Sequence, residues 1–105
     1  MSDKISIKDF QKLDLRVGKI KKVEEHPNAD KLFVLTVEMG EEKERTIVAG
    51  LKKYYSKKEL EGKKAIFAAN LEPVLLRGVE SNGMILAASD EEKKKVVILN
   101  SRKRY

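Results

Sequence analysis

Ser56-Lys57-Lys58-Glu59-Leu60-Glu61-Gly62-Lys63-Lys64-Ala65-Ile66-Phe67-Ala68-Ala69 places a short helix and a strand in immediate succession. Ser56 and Glu59 stand three apart, the spacing at which a hydroxyl and a carboxylate satisfy each other's backbone N–H groups at a helix start. With Leu60 and Gly62 behind them, they predict a helix of one or two turns. Ala65 to Ala69 is short, apolar and bounded by polar residues, which predicts a strand.

The elements on either side give this pair its meaning. Upstream, Thr46-Ile47-Val48-Ala49 is a strand closed by Gly50, and the charged turn Gly40-Glu41-Glu42-Lys43 joins it to the run Leu32–Met39. In that run both parities are largely apolar, so the strand is expected to be covered on both faces. Before it, His26-Pro27-Asn28-Ala29-Asp30 breaks the pattern with a turn. Leu13, Leu15 and Val17 alternate with Asp14 and Arg16 as in a half-buried strand, and past Gly18 the apolar positions shift to Ile20 and Val23. A parity change at a glycine reads as a β-bulge. At the N-terminus, Ser6-Ile7-Lys8-Asp9 has capping-box form with Asp in place of Glu, predicting a helix over about residues 6–12. Downstream, Asn70 to Met84 reads as a long excursion between strands. Ile85–Ala88 is the next strand, Val96–Leu99 a last short one, and Ser101–Tyr105 a basic end.

Five or six short strands, a small helix between the third and fourth, a short N-terminal helix and no alternating helical units argue an all-β antiparallel barrel. The five-stranded oligonucleotide-binding (OB) barrel matches in size and order. With 105 residues there is room for one such domain and one core.

Composition narrows the chemistry. There is no cysteine, hence no disulfide framework, thiolate nucleophile or cysteine metal site, and the only histidine is His26 in a turn. One histidine without cysteines is a poor zinc site, and no Ser–His constellation or glycine-rich phosphate cradle can be picked out. Neither a catalytic residue, a metal nor a cofactor is expected. The start carries no apolar signal core and no run is long enough to span a bilayer, so a cytoplasmic protein is expected, with no membrane partner.

Charged residues make up 38% of the chain, with a net charge of +6. An excess of this kind favours a polyanionic partner. Arg16, Lys19 and Lys21 lie along the first strand, Lys31 follows the turn, Lys52 and Lys53 precede the helix, and Arg77 sits in the long loop. In an OB barrel these segments can converge on one face, where cations neutralise phosphates, although solvation of the surface is the commoner fate of any one lysine. Three Phe, three Tyr and no Trp make a thin stacking platform, which favours recognition of a folded RNA by shape and backbone over threading of a single strand.

Five blocks carry a more specific signal: Leu13-Asp14-Leu15-Arg16-Val17-Gly18-Lys19-Ile20, His26-Pro27-Asn28-Ala29-Asp30-Lys31-Leu32, Thr46-Ile47-Val48-Ala49-Gly50-Leu51, Asn70-Leu71-Glu72-Pro73 and Arg77-Gly78-Val79-Glu80-Ser81-Asn82-Gly83-Met84. In this order they resemble the tRNA-binding domain family. That family includes free-standing tRNA-binding proteins, the C-terminal module of methionyl-tRNA synthetases, and the module of the endothelial-monocyte-activating polypeptide. The resemblance implies an OB barrel that grips tRNA by structure, without catalysis, and raises the tRNA affinity of methionyl-tRNA synthetase as an accessory domain or subunit. Carried over, it implies a surface built from Asn70, Arg77, Ser81 and Met84, supported by Lys31 and Arg16. Physically, Arg77 can grip phosphate with its fork, Asn70 and Ser81 can bond sugar or base edges, and Met84 can lie against a base. Met84 as core, Asn70 as turn-former and Ser81 as a local backbone cap are the competing readings.

Free-standing relatives of this length are typically homodimers, and the resemblance implies the same here. It leaves open whether the chain stands alone, serves as a synthetase subunit or belongs to a longer synthetase. The alternative is a peptide-binding or assembly role, because one branch of the fold family consists of export chaperones. That branch departs from the His-Pro-Asn-Ala-Asp-Lys-Leu and Ser-Asn-Gly-Met blocks that are intact here.

Overall fold

The computed structural model describes residues 3–92 and 94–100, so the basic end Ser101–Tyr105 lies outside the described residues. Helix α1 (Ile7–Gln11) starts at Ser6, whose hydroxyl accepts the Asp9 N–H at 3.0 Å, as the capping pattern predicts. Strands β1 (Leu15–Glu25), β2 (Phe33–Glu38) and β3 (Arg45–Ala49) follow. Helix α2 (Lys57–Leu60) has both halves of its capping box, with Ser56 Oγ and the Glu59 carboxylate each accepting the other residue's backbone N–H. Beyond it run β4 (Lys64–Ala68), β5 (Val74–Leu76), β6 (Val79–Ser81), β7 (Met84–Ile85), β8 (Ala87–Ser89) and β9 (Val96–Ile98).

The principal sheet is antiparallel in the order β3-β2-β1-β4-β7. Strand β1 is long enough to serve two partners, its first half pairing with β4 and its second with β2. Closure comes from the other edge, where Asn82 N–H donates to Thr46 O at 2.8 Å and Val48 N–H donates to Ser81 Oγ at 2.9 Å. The result is the expected OB-type barrel, nearly closed. Ile20, Leu35, Val37, Ile47, Ala65 and Phe67 fill it, and Leu60 of α2 seals one end. Gly62 N–H to Ile20 O at 2.7 Å and Ile20 N–H to Lys63 O at 2.9 Å tie that end to β1. Among the described residues no helix is long and apolar enough to cross a membrane.

Three local readings change. The register shift in β1 falls between Ile20 and Lys22, past Gly18. Gly18 itself is buried, and a Cβ there would lie 2.8 Å from Val37 Cγ1 and 2.9 Å from Phe67 Cδ1. The inward positions of β1 are therefore Gly18, Ile20 and Val23, while Leu15 is exposed; a glycine on the core face is invisible to a count of apolar alternation. On β2, Phe33, Leu35 and Val37 are buried but Val34 and Thr36 only partly so, so a single chain covers one face fully. The excursion after Asn70 contains the β5–β6 hairpin, and Ile85–Ala88 divides at Leu86. There Leu86 N–H donates to Ile66 O while Leu86 O accepts from Leu99, so the chain leaves β4 to pair with β9.

Filling the Gly18 site should force Val37 or Phe67 off its rotamer. Gly18→Ala is expected to lower stability by about 1–3 kcal/mol, measured by urea unfolding.

Candidate nucleic-acid interface

Two connections meet at one end of the barrel. The first is the turn from His26 to Lys31 between β1 and β2, and the second is the β5–β6 hairpin between β4 and β7. In OB barrels the corresponding loops, with the adjoining strand face, form the usual oligonucleotide-binding surface.

The hairpin turns on two residues, Arg77 (φ 54°) and Gly78 (φ 91°), between the paired Leu76 and Val79. Two successive positive φ values are the geometry of a type I′ turn, which matches the twist of the flanking strands. Gly78 adopts this conformation readily; Arg77 does so at a cost of about 1–2 kcal/mol, because Cβ crowds the carbonyl in the left-handed region.

Contacts between hairpin and turn run through polar groups at three points. His26, only 6% exposed, is bonded through Nε2 to Leu76 O at 2.9 Å and through Nδ1 to the Asn28 N–H at 2.9 Å. Asn28 Nδ2 donates to Arg77 O at 3.3 Å. The Arg77 guanidinium lies over Asn28 O, with Nε and Nη2 both at 3.4 Å. These last contacts are long and exposed, so they orient the guanidinium while leaving it donors to spare.

The other expected residues divide by what their polar atoms already do. Lys31 is exposed in the same turn and has no hydrogen bond or ion pair among the described residues. Lys53 is exposed too, with Nζ 6.0 Å from the Tyr54 ring centre. Lys52 pairs with Glu25 at 2.6 Å, and this hydrogen bond, aided by the charges of Lys52 and Lys57, holds the Glu25 carboxyl below its ordinary value. At neutral pH the positive charge of Lys52 is thus largely matched locally. Arg16 pairs with Asp14 at 3.0 Å. Asn70 uses both ends of its amide: Oδ1 accepts Asp14 N–H and Nδ2 donates to Lys12 O, each at 2.7 Å. Arg16 and Asn70 thus converge on Asp14, and Asn70 joins the segment after α1 to the end of β4.

Ser81 is 2% exposed, and its hydroxyl accepts from Val48 N–H and donates to Gly83 O at 3.0 Å. Met84 is 48% exposed on the rim of a groove of about 380 Å3 lined by Leu71, Val74, Leu76, Val48 and Val96.

Sequence reasoning missed Asn28 and Arg45; for a lone turn histidine it leaves a structural or a surface role, and His26 takes the structural one. The Arg45 fork grips Glu41 at 2.8 Å and donates through Nη1 to Ala69 O at 2.7 Å, fastening the β2–β3 turn and the end of β4 to the barrel seam. Its side chain is mostly buried, and the bond to Glu41 raises its pKa and lowers that of Glu41. An arginine four residues after a glutamate in a charged turn gives no sign of this role. Lys19 and Lys64 stand directly opposite one another on β1 and β4, and Lys19 also faces Glu38 on β2, which sets a carboxylate beside the like-charge pair. Among the described residues no cluster of His, Asp and Glu is arranged to hold a metal ion.

A nearly closed five-stranded barrel with a hairpin, Arg77 at its tip, docked on the turn after its first strand defines an OB-type module. The family model for the tRNA binding domain matches residues 15–105, and the chain belongs to that family. It is 62% identical over 86 residues to the methionine–tRNA ligase of Pyrococcus horikoshii, a match covering 82% of this chain and 12% of that protein. Against the methionine–tRNA ligase of Nanoarchaeum equitans the identity is 55% over the same length. The chain therefore spans about one eighth of the length of the ligases it matches. Among solved structures it superimposes on a MetRS related protein from Pyrococcus horikoshii with a TM-score of 0.87 and 38% identity, covering 99% of this chain and 94% of that one. The CsaA chaperone protein from Picrophilus torridus superimposes with a TM-score of 0.84 and 29% identity, covering 97% and 94%.

The position of Ser81 yields a prediction about the fold. Ser81→Ala strands the Val48 N–H at a buried seam and should cost about 1–3 kcal/mol, seen as a Tm lower by several degrees in calorimetry.

Proposed function

We propose that this chain is a non-catalytic module that binds tRNA by its folded shape and phosphate backbone, and that its partner in the cell is methionyl-tRNA synthetase, as subunit or covalent neighbour. The observation that carries the reading is the docking of the Arg77 hairpin on the His26–Lys31 turn. In its support, a guanidinium with unspent donors and a lysine without a partner among the described residues stand on the two loops that OB barrels commonly use for nucleic acid. Membership of the tRNA binding domain family and homology to part of the ligases support it.

On this proposal the residues share the work. Arg77, Lys31 and Lys53 engage phosphates, Met84 lies against a sugar or base, and Asn70 and Ser81 hold the backbone that presents them. Lys52 and Arg16 join only if their carboxylate partners are displaced by the denser charge of RNA. A module acting through backbone and shape retains many tRNA species and prefers them to double-stranded DNA, which a gel-shift titration at near-physiological salt measures; equal or absent binding would overturn the reading.

The Arg77 position separates binding from folding. Arg77→Gly removes the guanidinium and also relieves the left-handed backbone, so stability should hold or rise by up to about 1 kcal/mol while tRNA affinity falls. With three phosphate contacts per chain, log affinity should fall against log salt with a slope of about −2 to −3, and the variant should flatten it by roughly 1. Fluorescence anisotropy across a salt series measures both.

A homodimer belongs to the same proposal. Helix α1 buries none of its residues in its own chain, with Ile7 72% and Phe10 52% exposed. A five-residue helix has little stability of its own, and its apolar side chains require a surface to cover them. A second copy supplies it and doubles the basic surface. Phe10→Glu should shift the mass measured by light scattering from dimer to monomer.

The second reading, peptide binding, rests on the apolar groove beside Met84 and on the likeness to CsaA chaperone structures. It takes the lead if an unfolded apolar peptide competes with tRNA or binds where tRNA does not.

A further inference from the structure

His26 is the one buried imidazole, and its two ring bonds both end on main-chain groups of known polarity. The Asn28 backbone nitrogen can only donate, so Nδ1 must accept; Leu76 O can only accept, so Nε2 must carry the proton. The fold thus selects a single neutral tautomer without appeal to any movable side chain. That ring is the most enclosed of the links between the β1–β2 turn and the β5–β6 hairpin, since the Asn28 and Arg77 contacts beside it are longer and exposed.

We propose that His26 is the positioning residue of the RNA-facing hairpin, and that a second proton on its ring releases the hairpin from the turn and weakens tRNA binding. Protonation converts Nδ1 from acceptor to donor, which sets it against the Asn28 N–H and removes the acceptor of that part-buried bond. The turn at Asn28 must then move, and Asn28 supplies both groups that face Arg77, its side-chain amide and its carbonyl oxygen. Orientation of the guanidinium is lost with it.

The surrounding charges do not offset this. On the end of β1, Glu24 pairs with Lys22 at 3.7 Å, and Glu25 with Lys52 and Lys57 from beyond β3. In the turn lie Asp30 and Lys31, and on the hairpin Arg77 and Glu80; none of these groups forms a hydrogen bond or ion pair with the ring. Glu25 is held below its ordinary value by Lys52, so it stays ionised as the imidazole range is crossed.

The inference rests on the tRNA-binding reading, and two measurements on the full chain keep the two apart. The first follows the ring nitrogens of His26 and the Asn28 amide by nitrogen-15 NMR from pH 7.5 to 5.5 without RNA. The second follows tRNA affinity over the same range in the native chain and in His26→Gln, which cannot titrate. The expected result is an Asn28 amide that shifts and loses exchange protection with the midpoint of the ring, together with a fall in affinity of about three- to tenfold beyond that of the variant. An Asn28 amide that stays put while the ring titrates, or an equal fall in the glutamine variant, would overturn the proposal. A native chain that binds no tRNA at pH 7.5 would overturn the functional reading instead, and the amide titration would still decide whether His26 holds the hairpin.

Discussion

The outer edge of β3 has backbone groups that must find partners, because an open edge invites pairing with another chain and a buried N–H without an acceptor is costly. Among the described residues there is no further full-length strand to lay there. The chain closes the seam instead with one main-chain bond, Asn82 to Thr46, and one hydroxyl, Ser81 Oγ, standing in for a carbonyl opposite Val48. The segment that performs this closure runs on into Gly83, where φ is 121° and a Cβ would press within 3.1 Å of Ala68 O. Ser81, Asn82 and Gly83 are thereby set by the demands of the barrel, and the hairpin that precedes them projects from a fixed root.

From that root the hairpin reaches back across the end of the barrel to the His26 turn. Its three-residue strands are too short to be rigid alone, and the polar bonds to the turn supply what their length cannot. Two kinds of residue then alternate along one stretch. Asn70 and Ser81 spend their polar atoms on the backbone, whereas Arg77 and Met84 face outward with capacity left. Such mixing is the expected form of a binding surface built on loops, in which each offered group needs a held neighbour.

Charge follows the same division. A surplus of six suggests a broad basic face, yet several of the cations counted toward it are matched by a carboxylate a few ångströms away, including Lys52, Lys57, Arg16 and Arg45. The exposed ion pairs are worth little to stability in water. Their effect is to concentrate the charge that is unmatched among the described residues on fewer positions, Lys31 and Lys53 among them.

The amino-acid sequence by itself determined the elements whose causes are local: the Ser6 cap and the Ser56–Glu59 capping box, the turns at Gly40 and Pro27, the strands β2 to β4 and hence the order of an OB barrel. The five signature blocks named the family. Contacts between residues far apart in the chain were not legible there. Val74–Leu76 has no alternation to betray a strand, because its pattern is set by a groove on one side and solvent on the other. Gly18 faces the core because Phe67 and Val37 leave no room for a Cβ, and Arg45 is a clamp because Ala69 comes within reach of it. His26 is buried only because Leu76, fifty residues on, offers a carbonyl to its ring. Which polar groups are spent and which remain to be offered depends on partners brought together by folding, and that was decided by the tertiary structure alone.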